Sequence, residues 1–182
     1  TWHPFDTYNT SIGQGSNNYT ILQLANYVAT IANGGNRYIP YLIDSIVSHQ
    51  GDVLAKYKPQ VAAKATVSPD TIKAVTQGMH DVTKPGGTAY FLFSSFPENL
   101  GVAAKTGTAQ TGRVGDLRSG DFHGVFLAFA PVDNPQIAFA GLIEYAKSGS
   151  GSAGLVAKAV FEEYFGLNET TIEEGINWNI VE

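Results

Sequence analysis

The sequence feature that most constrains the fold is a pair of apolar runs separated by a short turn. The runs are GVFLAFA (124–130) and IAFAGLIEY (137–145), and they flank the segment PVDNP. In that segment two prolines surround Asp133 and Asn134, a combination that favours a tight reversal of the chain. The pattern therefore predicts an antiparallel hairpin that is buried on both faces.

Three helices are predicted from apolar residues that recur at helical spacing. The first follows Thr20, which forms a T-x-x-Q capping box with Gln23, and it ends at a Gly-Gly pair. The second is capped by Ser68 and has proline at its first helical position. The third covers SAGLVAKAVFEEYF (152–165) and is ended by glycine.

A further hairpin is predicted where YLIDSIVS (41–48) and VLAKY (53–57) flank a turn that contains Gly51. Residues 1–19 are polar and turn-rich, and residues 110–121 form a polar, Gly-rich loop. The order of elements is helix, hairpin, helix, three strands and helix. This order predicts an α+β fold, in which helices cover an antiparallel sheet.

Composition and charge exclude several classes of protein. The 182 residues include 11 basic and 16 acidic side chains, and the net charge is -5. Because the basic residues are scattered, no nucleic-acid partner is expected. Cysteine is absent, which removes disulfides and thiolate chemistry. Apolar runs fall short of the roughly 18 residues of a membrane span, and the start TWHPFD lacks the regions of a signal peptide, so no membrane contact by this segment is expected.

The segment GSGSAG (149–154) fits the G-x-G-x-x-G pattern of dinucleotide-binding loops, after a predicted strand and before a predicted helix. That fingerprint also requires a following parallel strand with an acidic residue at its end, and residues 166–182 contain no such strand. The other interpretation is that the glycines allow a tight turn with close packing. We favour the second interpretation and predict no cofactor.

The segment GVAAKTGTAQ (101–110) carries one lysine in an otherwise uncharged stretch. On a strand, Thr106 and Thr108 point to one face, and Lys105 and Gly107 point to the other. One interpretation is a solvated lysine at a sheet edge. The other is an anion and oxyanion site, in which an ammonium sets the potential, hydroxyls bind a carboxylate and a backbone N–H donates to developing charge.

K-T-G is one of the motifs of penicillin-binding proteins and serine β-lactamases, and the resemblance extends well beyond it. SIGQG and TILQLANYVATIANGGNRYIPYLI (20–43) resemble a G-Q-G turn and the T-P-L-Q-L-A helix of class B penicillin-binding proteins, with Ile21 in place of the usual proline. GGTAYF (86–91) resembles the G-T-A element, AAKTGTAQ is similar to the active-site strand, and HGVFLAFAPVDNPQIAF (123–139) resembles the next hairpin. Over residues 11–165 the chain is similar to the C-terminal half of the transpeptidase domain of class B penicillin-binding proteins, of elongation or sporulation type.

The resemblance implies a peptidoglycan D,D-transpeptidase at the extracytoplasmic face of a bacterial membrane, within a membrane-anchored parent protein. In this family the serine of S-x-x-K attacks the carbonyl of a D-Ala-D-Ala stem peptide, forms an acyl-enzyme and passes the acyl group to an amine of a neighbouring strand. β-Lactams acylate the same serine.

The resemblance also assigns roles on the strand. Lys105 contacts the hydroxyl of an S-x-N motif and keeps the site electropositive. Thr106 and Thr108 hold the carboxylate of the substrate or β-lactam, and the Thr108 backbone N–H supplies half of the oxyanion hole. The implied catalytic residues are Lys105, Thr106, Gly107 and Thr108, and the implied substrate-binding residues are Thr106, Thr108, Ala109 and Gln110.

Two motifs of the family are missing from this chain. No serine has a lysine three residues on, and the S-x-N at Ser16 follows the G-Q-G turn, where the family does not place its catalytic motif. We therefore expect residues 1–166 to be the C-terminal part of the domain, inactive alone, and residues 167–182 to be a polar tail. The N-terminal half of the same protein is the expected partner. Without it, the last of three strands, near 101–108, 123–130 and 136–144, would expose an unpaired apolar edge.

The sequence leaves other functions and residue roles open. The chain could belong to a β-lactam sensor or β-lactamase relative, or to a noncatalytic module that binds peptidoglycan or a partner. His123 is either a structural histidine at a strand entrance or a group facing the cleft. Arg113 and Arg118 lie in a loop that either is solvated or borders the substrate groove. No metal is predicted, because the other histidines lack metal-ligand spacing: His3, His49 and His80.

Overall fold

The computed structural model describes residues 2–15, 17–111 and 122–167. Its helices are α1 (Pro4–Ser11), α2 (Ile21–Ala32), α3 (Pro69–Asp81), α4 (Tyr90–Phe93) and α5 (Ala153–Tyr164), with a short 3-10 helix at Glu98–Leu100. Its strands are β1 (Asn36–Tyr38), β2 (Ser45–Val47), β3 (Val53–Lys56), β4 (Val61–Lys64), β5 (Ala103–Gln110), β6 (Phe122–Ala130) and β7 (Ile137–Ala146).

The three predicted helices are confirmed as α2, α3 and α5, and the caps explain where the first two begin. At α2 the Thr20 hydroxyl accepts from the Gln23 backbone N–H at 3.2 Å, and the Gln23 side chain accepts from the Thr20 backbone N–H at 2.8 Å. At α3 the Ser68 hydroxyl accepts from the Thr71 backbone N–H at 3.1 Å. These bonds, reciprocal at α2 and single at α3, satisfy N–H groups that the start of a helix leaves without intrahelical partners.

Several elements were not predicted from the sequence: helix α1, strands β1 and β4, the short helix α4 and the 3-10 helix. Residues 1–19, expected to be turn-rich, include helix α1, which has Pro4 at its first position and an Asp6 carboxylate that accepts from the His3 backbone N–H at 2.8 Å. The polar composition hid this capped helix. The predicted hairpin is confirmed as β2 and β3. Strands β1 and β4, which lie before and after it in the chain, pair with each other. This pairing is short and joins residues far apart in sequence, so no local pattern predicted it.

The main sheet is antiparallel, in the order β5-β6-β7. On one face Phe126 packs with Phe161 of α5 and Leu92 of α4, and on the other face Phe129 packs with Val28 of α2 and Met79 of α3. The predicted burial of the hairpin on both faces is therefore confirmed for β6. It is wrong for 142–145 in β7, which are exposed because the described elements do not cover that end of the strand.

None of the helices in the described ranges has the length and hydropathy of a membrane span.

Candidate functional site

Strand β5 carries all of the catalytic and substrate-binding residues that the family resemblance implied. Residues 103–110 pair with β6 in unbroken register, from Ala103 opposite Phe129 to Gln110 opposite Phe122. Within the part of the chain that the structure describes, β5 has β6 as its one strand neighbour. The backbone N–H and C=O groups of successive residues point to alternate edges of a strand. Every second residue of β5 therefore directs its N–H and C=O groups away from β6.

The threonines and the lysine occupy opposite faces of β5. Thr106 lies opposite Phe126, whose ring belongs to the core cluster beneath α5, and Thr108 lies two residues further on the same face. Lys105 lies opposite Leu127, which packs on the cluster beneath α2 and α3. The alternation expected for a regular strand is therefore present, without a bulge between β5 and β6.

The Lys105 ammonium is exposed at the strand. Its Nζ donates to the backbone carbonyl of the neighbouring Thr106 at 2.5 Å. Among the described residues the one ion pair joins Lys158 to Glu162 on α5, so no described carboxylate neutralises Lys105. An ammonium with a carbonyl as its partner keeps its positive charge available to an anion.

Thr106 is half-buried and has a hydroxyl partner from another element. The Thr88 and Thr106 hydroxyl oxygens are 3.1 Å apart. The sequence included Thr88 in the G-T-A element but assigned it no role, and a separation of 18 residues gives no local signal of this contact. Thr108 and Gln110 are exposed and Ala109 is half-buried, all without a described role in the core.

The backbone of Gly107 is covered on one side by the turn before α5. A Cβ atom at Gly149 would lie 2.4 Å from the Gly107 carbonyl oxygen, 3.0 Å from the Gly107 nitrogen and 2.2 Å from the Val125 carbonyl oxygen. A side chain at Gly124 would likewise meet the Ser152 hydroxyl at 2.2 Å. The glycines of GSGSAG therefore serve close packing of a strand-to-helix turn, which confirms the structural interpretation of that motif.

The entrance to β5 is tied to α3 and to the turn after β6. The Val102 carbonyl accepts from the buried Thr83 hydroxyl at 2.7 Å, and the Gly101 carbonyl accepts from the Val132 N–H at 2.8 Å. The His80 ring packs against Gly101, where a Cβ atom would lie 2.8 Å from its Cε1. These contacts fix the position at which β5 begins.

The Nδ1 atom of His80 is buried and has no hydrogen-bond partner among the described atoms. Burial lowers the pKa of His80, and the positive charge of Lys84 lowers it further. The Val102 backbone and the carboxylates of Asp81 and Asp133 raise the pKa of His80, but their effects are smaller and the pKa remains lowered.

We expect the folded chain to lose stability as the pH falls below the ordinary histidine pKa of about 6.5. The folded state binds a proton on His80 less readily than the unfolded state, so this contribution is complete above about pH 6.5 and declines as the pH falls toward the lowered pKa. Urea unfolding between about pH 5 and 8 measures it. The His80→Gln variant should lack this decline and the His49→Gln variant, changed in an exposed hairpin turn, should retain it. Equal pH profiles for the His80 variant and the parent chain would contradict the assignment.

His123 has a structural environment. Its Nδ1 accepts from the Tyr145 backbone N–H at 3.4 Å, and the two rings meet edge to face with centroids 5.6 Å apart. The pairing of β6 with β7 shifts register between Phe122 and Gly124, so His123 lies at that irregularity. The interpretation as a structural histidine is the one that these contacts favour.

Some of the sequence-based assignments fall outside the described residues. These are Ser16, the loop arginines Arg113 and Arg118, and the tail from 168 to 182. In the ranges that are described, no three His, Asp or Glu side chains form a group that could hold a metal ion. Strand β5 itself offers an ammonium, hydroxyls and backbone N–H groups, which are suited to bind an anion.

Comparison with known proteins gives a consistent match. The family model described as the penicillin binding protein transpeptidase domain matches residues 2–165. Penicillin-binding protein 2A of Bacillus subtilis is 32% identical over 178 residues, which is 91% of this chain and 24% of that protein. Peptidoglycan D,D-transpeptidase MrdA of Haemophilus influenzae is 29% identical over 185 residues, which is 95% of this chain and 28% of that protein.

Solved structures match the same fold. The ceftriaxone acyl-enzyme complex of penicillin-binding protein A from M. tuberculosis superposes with a TM-score of 0.72 at 32% identity, over 85% of this chain and 34% of that one. The chain thus spans about a quarter of the length of the curated relatives it matches, and only part of the transpeptidase domain. The family model, the class B relatives and the shared mixed fold of helices and antiparallel sheet together show that this chain belongs to the penicillin-binding protein transpeptidase family.

Proposed function

We propose that this chain forms one wall of the acyl-transfer site of a peptidoglycan D,D-transpeptidase, and that a segment outside this chain supplies the nucleophilic serine. The observation that carries the proposal is strand β5, an edge strand in the described sheet whose Lys105 has no described carboxylate partner. The class of reaction is inferred from the family, and the role of each residue is inferred from the chemistry of its side chain on β5.

The reaction divides into two balanced steps. In the first, the serine oxygen bonds to the carbonyl carbon of the penultimate D-Ala, and terminal D-Ala leaves as a free amine that takes up a proton. In the second, an amine of a neighbouring stem peptide attacks the ester, and the serine oxygen regains a proton. Both steps pass through an oxyanion, which backbone N–H groups stabilise better than they stabilise the ground-state carbonyl.

The residues of β5 suit the charges that these steps create. Thr106 and Thr108 lie on one face and are suited to donate hydroxyl hydrogen bonds to the carboxylate of the terminal D-Ala or of a β-lactam. Their N–H groups point to the same strand edge, because they are two residues apart. The contact of Lys105 Nζ with the Thr106 carbonyl supports the idea that this is the open edge, where the Thr108 N–H meets the oxyanion.

The other residues of β5 are assigned roles around the same site. Lys105 contacts the hydroxyl of the S-x-N motif in the complementary segment and keeps the site electropositive. Gly107 completes the catalytic set, and Ala109 and Gln110 extend the strand along which the substrate lies. Residues 1–166 act as the C-terminal part of the transpeptidase domain and residues 167–182 as a polar tail, on the extracytoplasmic side of the membrane in an anchored parent protein.

The proposed partner of this chain is the N-terminal half of the same protein. The exposed end of β7 supports this assignment, because Leu142 and Ile143 are apolar and exposed, and β7 has β6 as its one strand neighbour among the described strands. An uncovered edge of this kind is prone to aggregation. β-Lactams are proposed ligands, since the matched structure of penicillin-binding protein A is a ceftriaxone acyl-enzyme complex.

A fluorescent penicillin tests this proposal. No serine of residues 1–182 is followed three residues later by lysine, so the chain alone should show no covalent label. The protein extended by the residues encoded upstream should label with about one dye per molecule and lose the label after preincubation with unlabelled penicillin G.

Three outcomes would contradict it. Covalent labelling of residues 1–182 alone would overturn the assignment of the serine to another segment. Rapid hydrolysis of penicillin by the extended protein would instead support a β-lactamase relative. Unchanged acylation after replacement of Lys105 or Thr108 would support a noncatalytic peptidoglycan-binding or partner-binding module.

A further inference from the structure

Thr88 is the described side chain outside β5 that contacts a hydroxyl of the candidate site. Its Oγ1 lies 3.1 Å from Thr106 Oγ1, within hydrogen-bond distance. Thr88 is exposed and so makes no contribution to the core. A hydroxyl in this position can change what the Thr106 hydroxyl offers to a ligand.

The backbone around Thr88 is held firmly. A Cβ atom at the preceding Gly87 would lie 2.2 Å from the Val82 carbonyl oxygen, so that turn packs directly on the end of α3. The following Ala89 is fully buried, and its N–H donates to the Val82 carbonyl at 3.0 Å. Thr88 therefore stands between two fixed residues, and its hydroxyl is presented from a rigid turn.

Thr106 is fixed as well, because β5 is in regular register with β6 on both sides of it. Each threonine hydroxyl has one proton to donate and two lone pairs that can accept. If Thr88 donates to Thr106, the Thr106 proton is left for another acceptor. If Thr106 donated to Thr88, it would have no proton for a carboxylate, so an anionic ligand selects the first arrangement.

We infer that Thr88 is a positioning residue, which donates its hydroxyl proton to Thr106 and so orients the Thr106 proton toward the carboxylate of the acyl donor. This inference rests on the proposed function. A chain of two hydroxyls that ends on an anion is also polarised along its length, which strengthens the bond to the carboxylate. Thr88 acts through Thr106 and touches no reacting atom.

The test is a double-mutant cycle in the protein extended by its upstream residues. The second-order rate constant of acylation by penicillin G should fall roughly tenfold in Thr88→Val, a loss typical of one hydrogen bond near a charged group. Thr88→Ser should restore it to within about twofold. In the Thr106→Val background, Thr88→Val should change the rate constant less than about twofold, since the hydroxyl through which Thr88 acts is gone.

Two further measurements separate positioning from a structural role. With a penicillin ester, which has no free carboxylate, Thr88→Val should have no effect beyond about twofold. The melting temperature should match that of Thr66→Val, a change at an exposed threonine between β4 and α3. Loss of the same size in the Thr106→Val background, or with the ester, would overturn the inference.

The outcomes distinguish this inference from the proposed function. If the unmodified extended protein is not acylated, or if Thr106→Val has no effect, the proposed function fails and the inference fails with it. If Thr106→Val slows acylation and Thr88→Val does not, the inference alone is wrong.

Discussion

Replacement of Gly149 with alanine is expected to destabilise the fold and disorder the candidate site together. The new Cβ would lie 2.2 Å from the Val125 carbonyl oxygen and 2.4 Å from the Gly107 carbonyl oxygen. Both are backbone atoms of paired strands, so neither can rotate away, and either the turn or the strand must move. Overpacking of this kind costs about 1–3 kcal/mol, and we expect the upper end of that range because the atoms that the Cβ meets belong to the backbone.

The measurement is urea unfolding followed by circular dichroism, with acylation of the extended protein as a second readout. Gly151→Ala in the same turn is the matched control. Its Cβ would meet only the Ser148 hydroxyl, at 2.8 Å, and that side chain can rotate. We expect the control to lose less than about 1 kcal/mol. A stability for Gly149→Ala equal to that of the control would show that the turn does not hold Gly107 in place.

Replacement of Lys105 with methionine in the extended protein should slow penicillin acylation by a factor of about 100 to 1,000. Methionine keeps much of the length of the side chain and removes its charge. The expected size is that of losing one preorganised electrostatic contact at an acyl-transfer site. Stopped-flow measurement of acylation with a chromogenic β-lactam gives the rate constant.

Lys73→Met provides the control, because Lys73 is an exposed lysine on α3. It should leave acylation within about twofold of the parent value, which would show that the loss is not a general effect of net charge. The unfolding free energy of Lys105→Met should stay within about 0.5 kcal/mol of the parent, since the side chain is exposed and its described partner is a carbonyl. Acylation within twofold of the parent for Lys105→Met would remove Lys105 from the proposed site.

Short sequence patterns predicted the helices whose first turns are stabilised by hydrogen bonds between residues close in the chain. Helix α2 begins where Thr20 and Gln23 exchange hydrogen bonds, three residues apart, and α3 begins where Ser68 caps the N–H of Thr71. The alternation of Thr106 with Lys105 followed from the two-residue period of a strand. In each case the residues that decide the structure are neighbours in the chain, so a short window of sequence contains the whole interaction.

The family likeness was also readable in the sequence, because its motifs keep their order along the chain. The family model over residues 2–165 confirmed it. The roles of the residues on β5 stay predictions, which the acylation experiments test.

Long-range contacts were decided by the tertiary structure alone. The pairing of β1 with β4, the packing of Gly149 on Gly107 and the contact of Thr88 with Thr106 each join residues far apart in sequence. Such contacts depend on how the sheet register and the helix positions combine, and no periodic pattern encodes them. The sequence by itself determined which strand carries the charge and the hydroxyls. The tertiary structure decided which turn supports that strand and which second hydroxyl lies beside it, because those partners are in contact only when the helices pack on both faces of β6.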